Sequence, residues 1–142
     1  MKKSLKITFA LVLIPFVAII AWLCVVFPRP VKLDFTEKIT LGYVYADKDI
    51  HVEIADKDDF AQLISICEGP GRATFELPAC GFGAMVLIFE GRGKQIAIYP
   101  ACDRCGTMRL GEKDKYFYSI SDKDRLLLED ILAKYGVTFP CV

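Results

Sequence analysis

Cysteine is the residue type here with the widest chemistry, and five of the six cysteines fall after residue 30: Cys67, Cys80, Cys102, Cys105 and Cys141. Two of them form a Cys-x-x-Cys in the run Cys102-Asp-Arg-Cys105-Gly106. That run admits three chemistries. A thiol-disulfide pair wants a helix N-terminus to stabilise the attacking thiolate. The residues that follow, Gly-Thr-Met-Arg-Leu-Gly, read as strand and turn and supply none. A zinc site would use Cys102-x-x-Cys105-Gly as half a ribbon and needs two further ligands. Cys141 with Cys67 or Cys80 would have to provide them, since no second Cys-x-x-Cys exists. The third chemistry is a structural disulfide framework, the ordinary outcome in an oxidising compartment.

An odd number of cysteines leaves one thiol over. A Cys67–Cys80 bridge would clip a Gly-Pro-rich loop, and closing about 14 residues contributes about 3 kcal/mol by loop entropy. Cys141 would then tie the C-terminal tail to Cys102 or Cys105. All five are therefore disulfide candidates, and Cys102, Cys105 and Cys141 are also the candidate zinc ligands.

Other chemistry is harder to find. His51, the single histidine, falls on the outward positions of an alternating strand beside Glu53, as an exposed bystander. The aspartates around Asp47, Asp56 and Asp122 lack the central Gly and closing Glu of a calcium loop, and caps or turns explain them. Gly81-Phe-Gly83 precedes a strand and does not open a helix, so it is no phosphate cradle. No serine elbow, HExxH or paired carboxylates with assignable roles occur. The sequence assigns no catalytic residue.

Where these residues sit depends on Ile7–Phe27, ITFALVLIPFVAIIAWLCVVF, a run without a charged side chain. As a helix it would span about 31 Å, the thickness of a bilayer's hydrocarbon core. Pro15 would kink it, Trp22 would anchor at the interface, and Pro28-Arg29-Pro30 ends it. Lys2, Lys3 and Lys6 outnumber Arg29 and Lys32 just after the run, which keeps residues 1–6 cytoplasmic and sends the rest outward. A cleaved signal is the rival, but its apolar core is shorter and its cleavage site is small-x-small. Here Ala18 and Ala21 are three apart and the run continues. Cys24 follows Trp22 and Leu23, which does not suit a lipoprotein signal, and it reads as a packing residue.

From Val31 onward fourteen Lys and Arg stand against eighteen Asp and Glu, with no basic stripe. That balance argues against nucleic acid and against tight docking on anionic lipid. The expected organisation is a transmembrane helix at 7–27, a juxtamembrane segment at 28–38 and one extracytoplasmic α+β domain at 39–142.

Within that domain, Ile39–Tyr45 reads as a strand with Ile39, Leu41, Tyr43 and Tyr45 on one face, and Ile50, Val52 and Ile54 alternate after it. Asp56 caps a helix carrying Phe60, Leu63, Ile64 and Cys67. Glu68-Gly-Pro-Gly71 stops it, and Arg72–Cys80 reads as loop or irregular strand. Ala84–Phe89 is apolar throughout, Gly91-Arg-Gly93 turns it, and Lys94–Tyr99 returns. A second hairpin turns around Gly111–Asp114. Ser121 caps a helix that Gly136 closes, and the tail is extended.

Ile54-Ala-Asp-Lys-Asp58 and Ile120-Ser-Asp-Lys-Asp124 repeat one form, either as two solutions to one capping problem or as a duplicated ββα unit. The expected fold is α+β, an antiparallel sheet of five to seven strands with two helices. Both faces of Ala84–Phe89 should be buried, by helices on opposite faces or by a partner, another copy or the 72–80 loop. The function that suits this reading is a membrane-anchored binding or interaction module, taking a protein partner or its own copy. The alternative is the thiol-disulfide or zinc site at Cys102 and Cys105.

Overall fold

The computed structural model describes residues 14–20, 22, 29–73, 79, 81–112 and 116–139, without the side chains of Arg29, Arg72 and Ala73. Its elements are β1 (Arg29–Val31), β2 (Lys38–Tyr45), β3 (Lys48–Glu53), α1 (Lys57–Cys67), β4 (Gly69–Ala73), β5 (Met85–Gly91), β6 (Lys94–Pro100), β7 (Thr107–Leu110), β8 (Tyr116–Ser119) and α2 (Asp122–Lys134). The fold is α+β. Every neighbouring pair of strands is antiparallel, in the order β1-β4-β8-β7-β6-β5-β2-β3.

The alternating stretches fold as their patterns require. Ile39, Leu41 and Tyr43 of β2 are fully buried and face Phe89, Leu87 and Met85 of β5 in register. Tyr45 departs from that stripe and is 47% exposed, because it closes a hairpin whose turn residue Ala46 has a φ of 55°. The β5–β6 turn runs through Arg92 and Gly93, both at positive φ as a tight right-twisted hairpin demands. Gly91, just before it, is held by a close approach instead. A Cβ there would collide with the Phe35 carbonyl oxygen and stand 2.7 Å from the Glu37 nitrogen.

Both helices start where the capping residues stand. Asp56 accepts from the backbone N–H of Asp58 and Asp59 at 3.0 and 2.9 Å, and Ser121 accepts from Asp124 at 3.2 Å. Gly136 takes a φ of 83° at the end of α2. The two repeats do not superpose on this pattern. The third residue of the first, Asp56, is a cap, whereas in the second it is the second residue, Ser121. One-residue slippage favours two independent solutions over a duplicated unit.

Two further strands, β1 and β4, lie where glycine and proline mask strand propensity. Pro30 faces Pro70 across this pair. Two residues without N–H groups suit a position that exchanges no ladder bonds. The residues read as juxtamembrane are also part of the domain: Val31, Leu33 and Phe35 are buried in its core. The Leu33 N–H donates to the Glu68 side chain at 2.8 Å, which ties this segment to the end of α1.

One core holds the domain together. Leu63, Ile66 and Cys67 of α1 and Leu128, Ile131 and Leu132 of α2 join the same cluster as Leu41, Leu87, Ile98 and Met108. Both helices therefore cover one face of the sheet, and the expectation of a strand buried on both faces is corrected. Met85, Leu87 and Phe89 are buried, but Val86 and Ile88 on the other face are half-buried.

Before the domain, residues 14–20 are helical. Among the described residues no helix is long and apolar enough to cross a membrane. Most of the 7–27 run, including Cys24, lies outside them.

Candidate functional site

The Cys-x-x-Cys sits in the connection between β6 and β7, and a strand follows it, as expected. Ala101 N–H donates to the Thr107 carbonyl at 2.9 Å and closes the loop. Asp103 accepts from the Cys105 N–H at 3.2 Å, Arg104 takes a φ of 59°, and Gly106 takes 70°. Cys102 is buried and Cys105 exposed, with the Cys105 thiol donating to Thr107 Oγ1 at 3.1 Å. Arg104 leans on Phe139 with 5.8 Å to the ring centroid and lies 3.9 Å from Glu129, so the loop is docked onto α2 and the tail. A helix N-terminus is what a reactive thiolate would require, and this loop is not one.

Cys67 is elsewhere and in a different state. It is fully buried at the end of α1 and carries a free thiol. Burial pushes that thiol up to about 12, which keeps it neutral and inert. Cys80 and Cys141 lie outside the described residues. Among the described residues, no three His, Cys, Asp or Glu side chains gather as metal donors. The described part of the tail is tied down by Tyr43, which donates its hydroxyl to the Thr138 carbonyl at 2.6 Å, by Lys48, which bonds the Gly136 carbonyl at 3.0 Å, and by the burial of Val137.

His51 is exposed, on the outward face of β3, and lies 3.2 Å from Asp49. It is not close to a cysteine in any contact the structure makes among the described residues.

The one buried carboxylate among the described residues is Asp59, in the first turn of α1. Lys134 donates to it at 2.5 Å and Tyr135 at 3.2 Å. The hydrogen bond to Asp59 raises the Lys134 ammonium, while Tyr135 is raised first by burial and then by the same carboxylate. This triad joins the two helices.

The remaining cluster was invisible in the sequence. On the sheet face away from the helices, the Arg109 guanidinium lies between two rings, 5.2 Å from the Phe82 centroid and 4.7 Å from that of Tyr99. Phe82 also meets Phe117 at 5.5 Å between centroids, tilted by 53°. The segment that delivers Phe82 is held by the Cys102 N–H, which donates to the Gly81 carbonyl at 2.8 Å. Alternation along β7 marks Arg109 as outward-facing, but its ring partners come from β6 and from the β4–β5 connection, and no local pattern encodes that meeting. Compared with protein-family models, with curated proteins and with solved structures, the chain matches none.

Proposed function

We propose that this chain is a single-pass membrane protein whose outward α+β domain is an interaction module. The observation that carries the reading is the state of the helical stretch before the domain. Every described side chain in it is exposed, with Ile14 at 69%, Phe16 at 60% and Trp22 at 64%. The domain, by contrast, buries a complete core of its own. An apolar rod left in water forgoes roughly 25 cal/mol for each Å² it exposes, and hydrocarbon removes that cost. The lysines before the run orient it with the N-terminus inside.

The surface offered to a partner is the sheet face opposite α1 and α2, where Val86, Ile88, Ala97 and Tyr99 are half-buried and Val44 is 58% exposed. Its partner is another membrane protein, an envelope component or a second copy. The test is alkaline carbonate extraction with protease accessibility of a tag after Val142. The chain should stay in the pellet, with the tag cleaved from outside. A shortened, soluble chain, or a tag protected inside the cell, would overturn the reading. A photo-crosslinker at Val44 should then give adducts that one at Leu126, exposed on α2, does not.

A further inference from the structure

Arg109 differs from the basic side chains of the ion pairs. Lys38 pairs with Glu53, Arg104 and Arg125 with Glu129, and Lys134 with Asp59. Arg109 has no carboxylate partner among the described residues. Its Nε is covered and makes no hydrogen bond there. Two ring faces attract a cation, yet they do not replace a hydrogen bond at a covered donor. Packing between Phe82 and Tyr99 would be served by a methionine or leucine, and neither would bring an unbonded donor. A guanidinium left in this state is already partly stripped of water and held still, as an oxyanion partner requires. The register adds a second feature. Arg109 pairs with Phe117 and Phe117 with Arg72, so two arginine positions flank one phenylalanine in a single row of the sheet.

We propose that Arg109 is an oxyanion seat, walled by Phe82 and Tyr99, that takes a carboxylate or phosphate group end-on through its two Nη groups. It rests on the reading of this face as the recognition surface, and it names the chemistry the partner presents there.

The test uses the full chain in zwitterionic micelles, titrated with inorganic phosphate at constant ionic strength held by chloride. The Arg109 Nε–H resonance and the Tyr99 ring resonances should shift and saturate. Arg109→Lys should weaken the effect about tenfold, because an ammonium cannot bind two oxygens in a fork. Arg109→Met should abolish it while unfolding at the same or a higher temperature than the parent. Competition by phosphatidylglycerol added to the micelles would identify a lipid headgroup as the source. Its absence would identify a soluble oxyanion, and either result supports the seat. No saturable shift would overturn the proposal. So would an Arg109→Met chain that unfolds well below the parent while Arg109→Lys does not, because the cation is then a structural clamp. A phosphate shift in a chain that carbonate releases would sink the anchored reading alone, and an anchored chain without the shift would sink the seat alone.

Discussion

The Tyr118 hydroxyl donates to the Cys67 carbonyl at 2.6 Å, joining the last turn of α1 to β8. The ring lies against Gly69, where a Cβ would stand 3.0 Å from Tyr118 Cδ2. Helix end, glycine and tyrosine thus form one unit under the core. Burial raises the Tyr118 hydroxyl above its ordinary range, with the neighbouring Cys67 as a second cause.

Alkaline stability should report this unit. Cys67 rises from 9.0 to about 12 on folding. Its folded value is the higher one, so the stability it contributes is complete below pH 9 and is lost as pH climbs from there towards 12. The loss should run at about 1.4 kcal/mol per pH unit, joined above pH 10 by Tyr118. Urea unfolding between pH 8 and 10 checks this. In Cys67→Ala the midpoint should stay flat until tyrosine begins to titrate.

Removing the hydroxyl tests the bond itself. Tyr118→Phe keeps the ring over Gly69 and leaves the Cys67 carbonyl buried without this donor. A loss of about 1 to 3 kcal/mol is expected in equilibrium unfolding. A neutral result would mean that the carbonyl finds another donor.

Asp59 and Lys134 should respond unequally to substitution. Asp59 is 3% exposed and Lys134 60%. Lys134→Met strands a buried carboxylate with Tyr135 as its remaining side-chain donor, so it should destabilise more than an exposed lysine normally does. Asp59→Leu removes the buried charge, and the double variant should therefore recover part of the loss. Because Asp59 raises Lys134, this contact is whole below pH 10.5 and fades above it. A double-mutant cycle at pH 7 and pH 11 measures both effects.

Two glycines of one hairpin should behave differently. Gly91→Ala drives a Cβ into the backbone of Phe35 and Glu37, which cannot move without opening β1–β2, so on the order of several kcal/mol should be lost. Gly93 has a φ of 71° with nothing within 4 Å of its Cβ position, so Gly93→Ala should cost about 1 kcal/mol. Thermal melts of the two variants side by side decide it.

Local signals settled much of the fold. Alternation in β2 marked Ile39, Leu41 and Tyr43 as inward, and all three are buried. Asp56, Ser121 and Gly136 marked the helix ends, because capping is a short-range bargain among neighbouring backbone groups. What the tertiary structure decided was which surfaces meet. The run Ala84–Phe89 is apolar on both sides, and nothing in it tells that both helices lie on the same side and leave Val86 and Ile88 half-buried. Strands β1 and β4 escaped notice because proline and glycine carry no strand propensity, and only pairing between Arg29–Val31 and Gly69–Gly71 makes them strands. Cysteine spacing carried no sign of how deep Cys67 lies, and it is that burial which raises its thiol. Arg109 reached its two rings through contacts between segments far apart in the chain, and long-range meetings of that kind leave no trace in local order.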